Sequence, residues 1–349
     1  MRVHIGHHFF GSGNVGDDLM MAGYLAALRD AGIAYETTCC ALGDLDSQRR
    51  RFPEITWHAV TPGCVAECIE DCDVWLGLGD TPFQLVGGTW FIDFLQSQAE
   101  QCARHGKPMY FLGIGVQDLT ALRHPAIARL VAQAEATWSR DLLTYAALRA
   151  LAPERVHAGG DLAGIYLASL PSTPPAGASL GVTLNFEDAA RYDEHSLERM
   201  ARNAGDDTPC YWLVQEVRAL PGSERAAYEA LPDSLRARFA LVCPEYATGS
   251  MEDLLQSWPV VSHAVTSRYH AALIHAWRGA RVTLIERGLK VRSLGVDLGL
   301  TVHPDLDRAS EALSTAWPVV QERLANCRQA AERSVHAMLD RWQRLEARA

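Results

Sequence analysis

The chain has 349 residues, more than one hydrophobic core usually supports, so two domains are expected. A formal charge of -10 excludes the broad basic face that nucleic acid or an anionic membrane requires, though not a local basic pocket for a small anion. Hydrophobic residues at 48% and charged ones at 21% are ordinary for a globular protein, and no apolar run approaches the ~18 residues of a membrane helix.

From the amino terminus, "RVHIG" and "YETTCCAL" read as strands, separated by the helical "DDLMMAGYLAALRDAG" that Gly32 ends. The strand "DVWLGLG", the helix "TWFIDFLQSQAEQCARHG" and the strand "PMYFLGIGV" follow. Next come "PAIARLVAQAEA" as helix, "TWSR" as strand, "DLLTYAALRAL" as helix and "RVHAGG" as strand. Such alternation implies a parallel sheet with helices on both faces. "LPSTPPAGAS", residues 170–179, is the best linker in the chain. Beyond it "LGVTLNF", "CYWLVQEV", "RFALV", "PVVSHAV" and "ARVTLIE" read as strands, and residues from about 307 to 346 as charged helix. The expected division is therefore an α/β domain over 1–169, the linker, a second α/β domain over 180–306 and a terminal helical segment over 307–349.

Nine cysteines, an odd number without a small-domain disulfide pattern, and the absence of a secretory pattern in "MRVHIGHHFFGSGN" point to a reduced, cytoplasmic, soluble protein. "CVAECIEDC" sets Cys64, Cys68 and Cys72 on one helical face. No fourth ligand with zinc-type spacing follows, so these read as small buried hydrophobes and no metal site is expected. Trp90, Trp212 and Trp258 could stack on sugar faces, with core packing the commoner fate.

Two stretches carry chemistry. "GSGNVG", residues 11–16, is literally G-x-G-x-x-G between a strand and a helix, with Glu36 20 residues past Gly16. Asp17 and Asp18 at the helix start would repel a pyrophosphate, and Glu36 begins its strand rather than ending it. A tight turn, with Asp17 or Asp18 capping the helix, is the preferred reading over dinucleotide binding. In "VTSRYHAALIHAW", residues 265–277, an apolar strand gives way to a helix. Thr266 and Ser267 can cap it, and Arg268 and His270 fall in its first turn. Backbone N–H groups, a guanidinium and an imidazole would converge there on a phosphate or carboxylate. A buried arginine needs an anionic partner, and the adjacent sequence supplies no carboxylate. His270 also shares a helical face with Ile274 and Trp277, as a core histidine would. After the next strand, "IERGLKVRSLG" clusters Glu286, Arg287, Lys290 and Arg292, of which Lys290 is favoured for the site.

Taken in order, these motifs resemble the polysaccharide pyruvyl transferases. The resemblance rests on "GNVGD" (Gly13, Asn14, Gly16, Asp17), "LGLGD" (Leu76–Asp80), "GIGVQ" (Gly113, Gly115, Gln117), "WSRD" (Arg140, Asp141), "GGDLAG" (Asp161), "SRYHAAL" (Ser267, Arg268, His270) and Lys290. It departs from the family in "GLGD" for a run of three glycines and in Tyr269 for leucine. The resemblance implies two Rossmann-like domains whose parallel sheets face a cleft, a GT-B-like arrangement, with a C-terminal helix. It also implies transfer of pyruvate from phosphoenolpyruvate to a sugar of a polysaccharide or its precursor as a cyclic ketal, releasing phosphate, with no cofactor. Arg268, Lys290 and Arg140 would bind the anionic donor, together with the three loops. His270 would be the acid or phosphate donor, and Asp17 or Asp18 the base. The partners are phosphoenolpyruvate and a sugar or lipid-linked saccharide, the latter bringing the chain to the membrane periphery; nucleic acid is not one. Two alternatives share this layout: a nucleotide-sugar glycosyltransferase and a catalytically silent binding protein.

Overall fold

The computed structural model describes residues 1–85, 88–171, 174–184, 192–218, 223–311 and 320–347. They divide into two compact units, one comprising Met1–Ser12, Asp17–Tyr166 and Ala325–Ala349, the other Gly13–Gly16 and Leu167–Leu324.

In the first unit seven strands form a sheet: Arg2–Ile5 (β1), Glu36–Ala41 (β2), Ile55–Ala59 (β3), Val74–Leu78 (β4), Met109–Ile114 (β5), Ala136–Ser139 (β6) and Val156–Ala158 (β7). Their order is β3-β2-β1-β4-β5-β6-β7 and every pairing is parallel. The central β4 and β5 are buried at every position, which is why "VWLGL" and "MYFLGI" are unbroken apolar runs rather than alternating ones. Strand β3 was not among the expected elements; its alternating "ITWHA" lies at the sheet edge with only some side chains buried. The helix Gln321–Glu346 buries Trp342 completely, its ring 5.7 Å from Tyr35 and 5.9 Å from Tyr110.

In the second unit six strands form another all-parallel sheet: Leu180–Thr183 (β8), Cys210–Leu213 (β9), Phe239–Val242 (β10), His263–Thr266 (β11), Arg281–Ile285 (β12) and Val302–His303 (β13), in the order β10-β9-β8-β11-β12-β13. Its core gathers Trp212, Phe239, Leu197 and Met200 over β8 and β9. The short β13 also went unread in the sequence. Asn185 and Phe186 of the expected strand "LGVTLNF", Ser172 and Thr173 of the linker, and residues 312–319 of the terminal segment lie outside the described residues. Among the described residues no helix is long and apolar enough to cross a membrane. The fold is thus two Rossmann-like α/β units with a C-terminal helix.

Each sheet reverses its strand order once, between β1 and β4 and between β8 and β11. Ligands of open parallel sheets bind beyond the carboxyl ends of strands at such reversals. The glycine loop follows β1 and "GLGD" ends β4, whereas the Ser267–His270 segment follows β11. Topology alone therefore puts the sequence's most conspicuous motifs at the two strand-order reversals, where open parallel sheets in general accept ligands.

Candidate functional site

In the second unit the strand-to-helix joint is built on hydrogen bonds from β8. Thr266 Oγ1 donates to the Thr183 carbonyl (3.1 Å) and accepts the Arg268 N–H (2.9 Å). Arg268 is the N-cap of the helix Tyr269–Trp277, with extended φ -98° and ψ 126°, rather than a member of its first turn as its sequence position implied. An orphan N–H of that turn, on Ala271, is taken by the Gln215 side chain (2.9 Å). Gln215 in turn donates from Nε2 to Asn14 Oδ1 (3.0 Å), which also accepts the Gly16 N–H (3.0 Å). The segment after β9 and the glycine loop exchange two backbone bonds, Val15 N–H to the Gln215 carbonyl (3.1 Å) and Val217 N–H to the Gly13 carbonyl (2.8 Å). One chain of hydrogen bonds therefore runs from the Arg268 helix through Gln215 to the glycine loop.

Gly16 explains why this loop ends in glycine. A Cβ there would lie 2.2 Å from His270 Nδ1, so the imidazole rests directly on the loop backbone. The φ values of +78° and +97° at Gly11 and Gly13 are the turn conformations the sequence demanded. His270 is 6% exposed, its ring edge-on to Tyr269 at 5.3 Å. The wholly apolar histidine of this helix is His275 instead. It is completely buried and stacks on Trp258 at 5.4 Å, and burial pushes its pKa down to about 3.

The premise that Arg268 lacks a carboxylate is corrected by the structure. Its Nη2 lies 3.2 Å from Glu216 Oε2 and its Nε 3.1 Å from Glu224 Oε1. Both acids come from elements more than forty positions away, which hid them from a reading of local sequence. Burial raises the Glu224 carboxyl above its ordinary range, the Arg268 charge only partly opposing this. Burial acts on Glu216 in the same sense, but Arg268 and Arg218 outweigh it and hold Glu216 low. Glu224 is thus the acid of the pair that takes a proton more readily, and Glu216 is shared between Arg268 and Arg218. Ser267 is fully buried beside them, with its N–H on the Thr183 carbonyl (3.3 Å). Lys290 is half-buried at the second position of the helix Leu289–Leu298, behind Gly288 in a positive-φ cap, and Arg292 pairs with Glu286.

In the first unit the other expected residues fall into two groups. Arg140, buried after β6, donates through Nη2 to Thr81 (3.2 Å) and lies 3.4 Å from the Asp141 carboxylate. A Cβ on Gly115 would come within 2.6 Å of that guanidinium, so the second glycine of "GIGVQ" makes room for Arg140. Asp141 caps the helix Leu142–Arg149 through the Thr144 N–H (2.8 Å), and Thr144 Oγ1 accepts the Val116 N–H (3.1 Å). Gly113 has a φ of +67°, Gln117 is half-buried, and Asp161 accepts the Ala163 N–H at 2.9 Å. The second group centres on Asp18, which is wholly buried and 2.7 Å from Arg51 Nη1, a guanidinium equally buried. Asp17 is 8% exposed in the first turn of the helix Val15–Asp30. Of the three tryptophans, Trp212 and Trp258 are buried, and Trp90 is 48% exposed, its ring 6.0 Å from Phe9.

Similar folds recur among enzymes of sugar nucleotides. The UDP-GlcNAc 2-epimerase of Methanocaldococcus jannaschii aligns over 97% of this chain and 99% of its own, with 12% identity and a TM-score of 0.61. That of Neisseria meningitidis, bound to UDP-GlcNAc, aligns over 99% and 100%, with 11% identity and a TM-score of 0.61. Anabaena HepE, in complex with UDP and glucose, aligns over 100% of both chains, with 10% identity and a TM-score of 0.59. At such identities the likeness is one of fold, here GT-B-like. No curated protein matches by sequence. The family pattern of the polysaccharide pyruvyl transferases, however, matches residues 14–222, from Asn14 of the glycine loop to just short of Glu224, and this chain belongs to that family.

Proposed function

We propose that the protein transfers pyruvate from phosphoenolpyruvate to a sugar of a polysaccharide or its precursor as a cyclic ketal, releasing phosphate. The observation that carries this reading is the seating of His270 on Gly16, in a unit where Asn14 and Gln215 join the glycine loop to the helix that Arg268 begins. Phosphoenolpyruvate brings two anionic groups. Arg268 is positioned to take one by exchanging Glu216, its less buried carboxylate, for a phosphate oxygen, a charge-assisted bond of the same kind. Lys290 and Ser267 are the further donors in this reading, and the group of Gly113, Gly115, Gln117 and Arg140 holds substrate in the first unit.

The chemistry needs a proton at the methylene carbon and charge stabilisation at the phosphate. A first sugar hydroxyl adds to the enol carbon as the methylene is protonated. The C–O bond to phosphate then breaks, and a second hydroxyl closes the ring, its proton leaving with the phosphate. His270 supplies the acid in this scheme, and Asp17, next in sequence to Gly16, accepts the hydroxyl proton. Fixed donors around the departing phosphate supply much of the acceleration. Trp90, exposed on the first unit, offers an aromatic face of the kind on which sugars stack.

Sugar-nucleotide transfer is the second reading, supported by the UDP named for structures of similar fold. Calorimetric titration with phosphoenolpyruvate and with UDP separates the two, followed by release of inorganic phosphate in the presence of candidate saccharides. Saturable binding of phosphoenolpyruvate that weakens in Arg268→Ala supports ketal transfer. Binding of UDP alone refutes it.

A further inference from the structure

Outside this site, the first unit contains a cluster of sulfur atoms that the proposed transfer does not use. Cys40 lies on β2, and Cys64 and Cys68 are one turn apart on the helix Pro62–Asp71. Cys40 Sγ is 3.9 Å from Cys64 Sγ and 3.9 Å from Cys68 Sγ, and all three sulfurs lie within 4.8 Å of one another. A tetrahedral metal with bonds of about 2.3 Å to sulfur sets its thiolates about 3.8 Å apart. A disulfide would need about 2 Å. The sulfurs are therefore already spaced as ligands around a common centre.

The cysteine helix expected from the sequence is present, but its third thiol belongs elsewhere. Cys72 is the C-cap residue and turns its sulfur to the Ile69 carbonyl (3.3 Å). Cys40 takes its place in the cluster, brought across from the sheet. A nitrogen ligand is also at hand. His4 on β1 pairs with Thr38 of β2, two positions from Cys40 on the same face of the sheet, and its Nδ1 is 3.0 Å from Thr38 Oγ1. Metal-binding histidines are oriented in this way, one ring nitrogen held by an oxygen so that the other points to the ion. The cluster opens into a cavity of about 210 Å³ that reaches Cys64, Cys68 and His58, with the exposed carboxylates Glu36, Glu67 and Asp71 around it. Acidic groups at an opening favour the approach of a cation.

We propose that Cys40, Cys64 and Cys68, with His4 as fourth ligand, form a zinc site that ties the helix Pro62–Asp71 to β1 and β2. Three thiolates and an imidazole in tetrahedral array suit zinc, and four protein ligands make the site structural rather than catalytic. Binding displaces the thiol protons to solvent.

The test is a cobalt titration of the full chain, freed of metal by a chelator and kept reduced under inert gas. The expected result is one cobalt per chain, with a sulfur-to-cobalt charge-transfer band and intense visible bands of tetrahedral cobalt, both abolished by one equivalent of zinc. The charge-transfer band is lost in Cys40→Ser and Cys68→Ser variants whose far-ultraviolet circular dichroism is unchanged. It persists in His4→Gln with affinity at least about tenfold weaker. A second measurement needs no variant. Zinc should protect Cys64 in the wild-type chain from alkylation while Cys243, which is exposed, stays reactive. No charge-transfer band, or equal alkylation of Cys64 with and without zinc, would overturn the proposal.

Discussion

Replacing Arg51 by methionine removes the positive charge opposite Asp18 while filling similar space. Both side chains are wholly buried and meet at 2.7 Å. The Gln48 amide (3.4 Å) and the Gly11 N–H (3.5 Å) are longer, neutral contacts to the same carboxylate. Breaking one side of such a pair costs about 3–5 kcal/mol. For a cooperative unit of this size each kcal/mol lowers Tm by about 2–4 °C, so Arg51→Met should melt roughly 6–20 °C below the wild type. The double variant Arg51→Met/Asp18→Leu, which removes both charges, should recover most of that loss. Scanning calorimetry of the two proteins measures both numbers. A single variant within about 2 °C of the wild type, or a double variant no better than the single, would refute the reasoning. An activity assay on the double variant beside Asp17→Asn separates the two candidate bases. The double variant should retain pyruvyl transfer, whereas Asp17→Asn should lose it.

Three further perturbations follow from the second unit. Gly16→Ala should displace His270 and lower turnover by about a hundredfold, as general acid catalysis is removed, with Arg268 still able to bind phosphoenolpyruvate; unchanged turnover would separate His270 from the chemistry. Gln215→Ala should cost about 1–3 kcal/mol in denaturant unfolding, because it leaves the buried Ala271 N–H without the Gln215 acceptor and removes one of the two donors to Asn14 Oδ1. His275 is held neutral, with a folded pKa near 3 against 6.5 when unfolded, so its contribution is intact above pH 6.5 and falls away as the pH drops toward 3. Within that window the loss is about 1 kcal/mol per pH unit, and His275→Phe should flatten it in unfolding curves measured between those limits.

Much of this architecture follows from local sequence because parallel strands buried on both faces announce themselves as short apolar runs. β4 and β5 are of this kind, and so are the β11 and β12 runs that flank the Arg268 joint. The edge strand β3 and the two-residue β13 carry no such run and were invisible for that reason. The glycine positions were legible as turns, but what each glycine makes room for was not. Gly16 answers to His270 and Gly115 to Arg140, side chains separated from them by long stretches of chain. The partners of Arg268 were missed on the same ground. Glu216 falls within the expected strand "CYWLVQEV" and Glu224 in a stretch with no motif of its own, and only the adjacency of β9, β8 and β11 brings them to the arginine. Cys40 likewise joins Cys64 and Cys68 across β2 and a helix, where no fixed spacing could advertise it.

The division of the chain also sets an order of assembly. The first unit is interrupted by more than 150 residues of the second before its final helix is supplied. During synthesis the groove beside Tyr35 and Tyr110 must therefore wait, lacking Trp342, while the whole of the Leu167–Leu324 span emerges. The later-made unit, needing only the Gly13–Gly16 loop from upstream, already has its chain in hand by then. The amino-terminal unit is the last to have its whole sequence synthesised, against the usual progression in which amino-terminal domains mature first. A chain released after residue 324 would carry every residue of the carboxyl-terminal unit and an amino-terminal one still open along its aromatic seam.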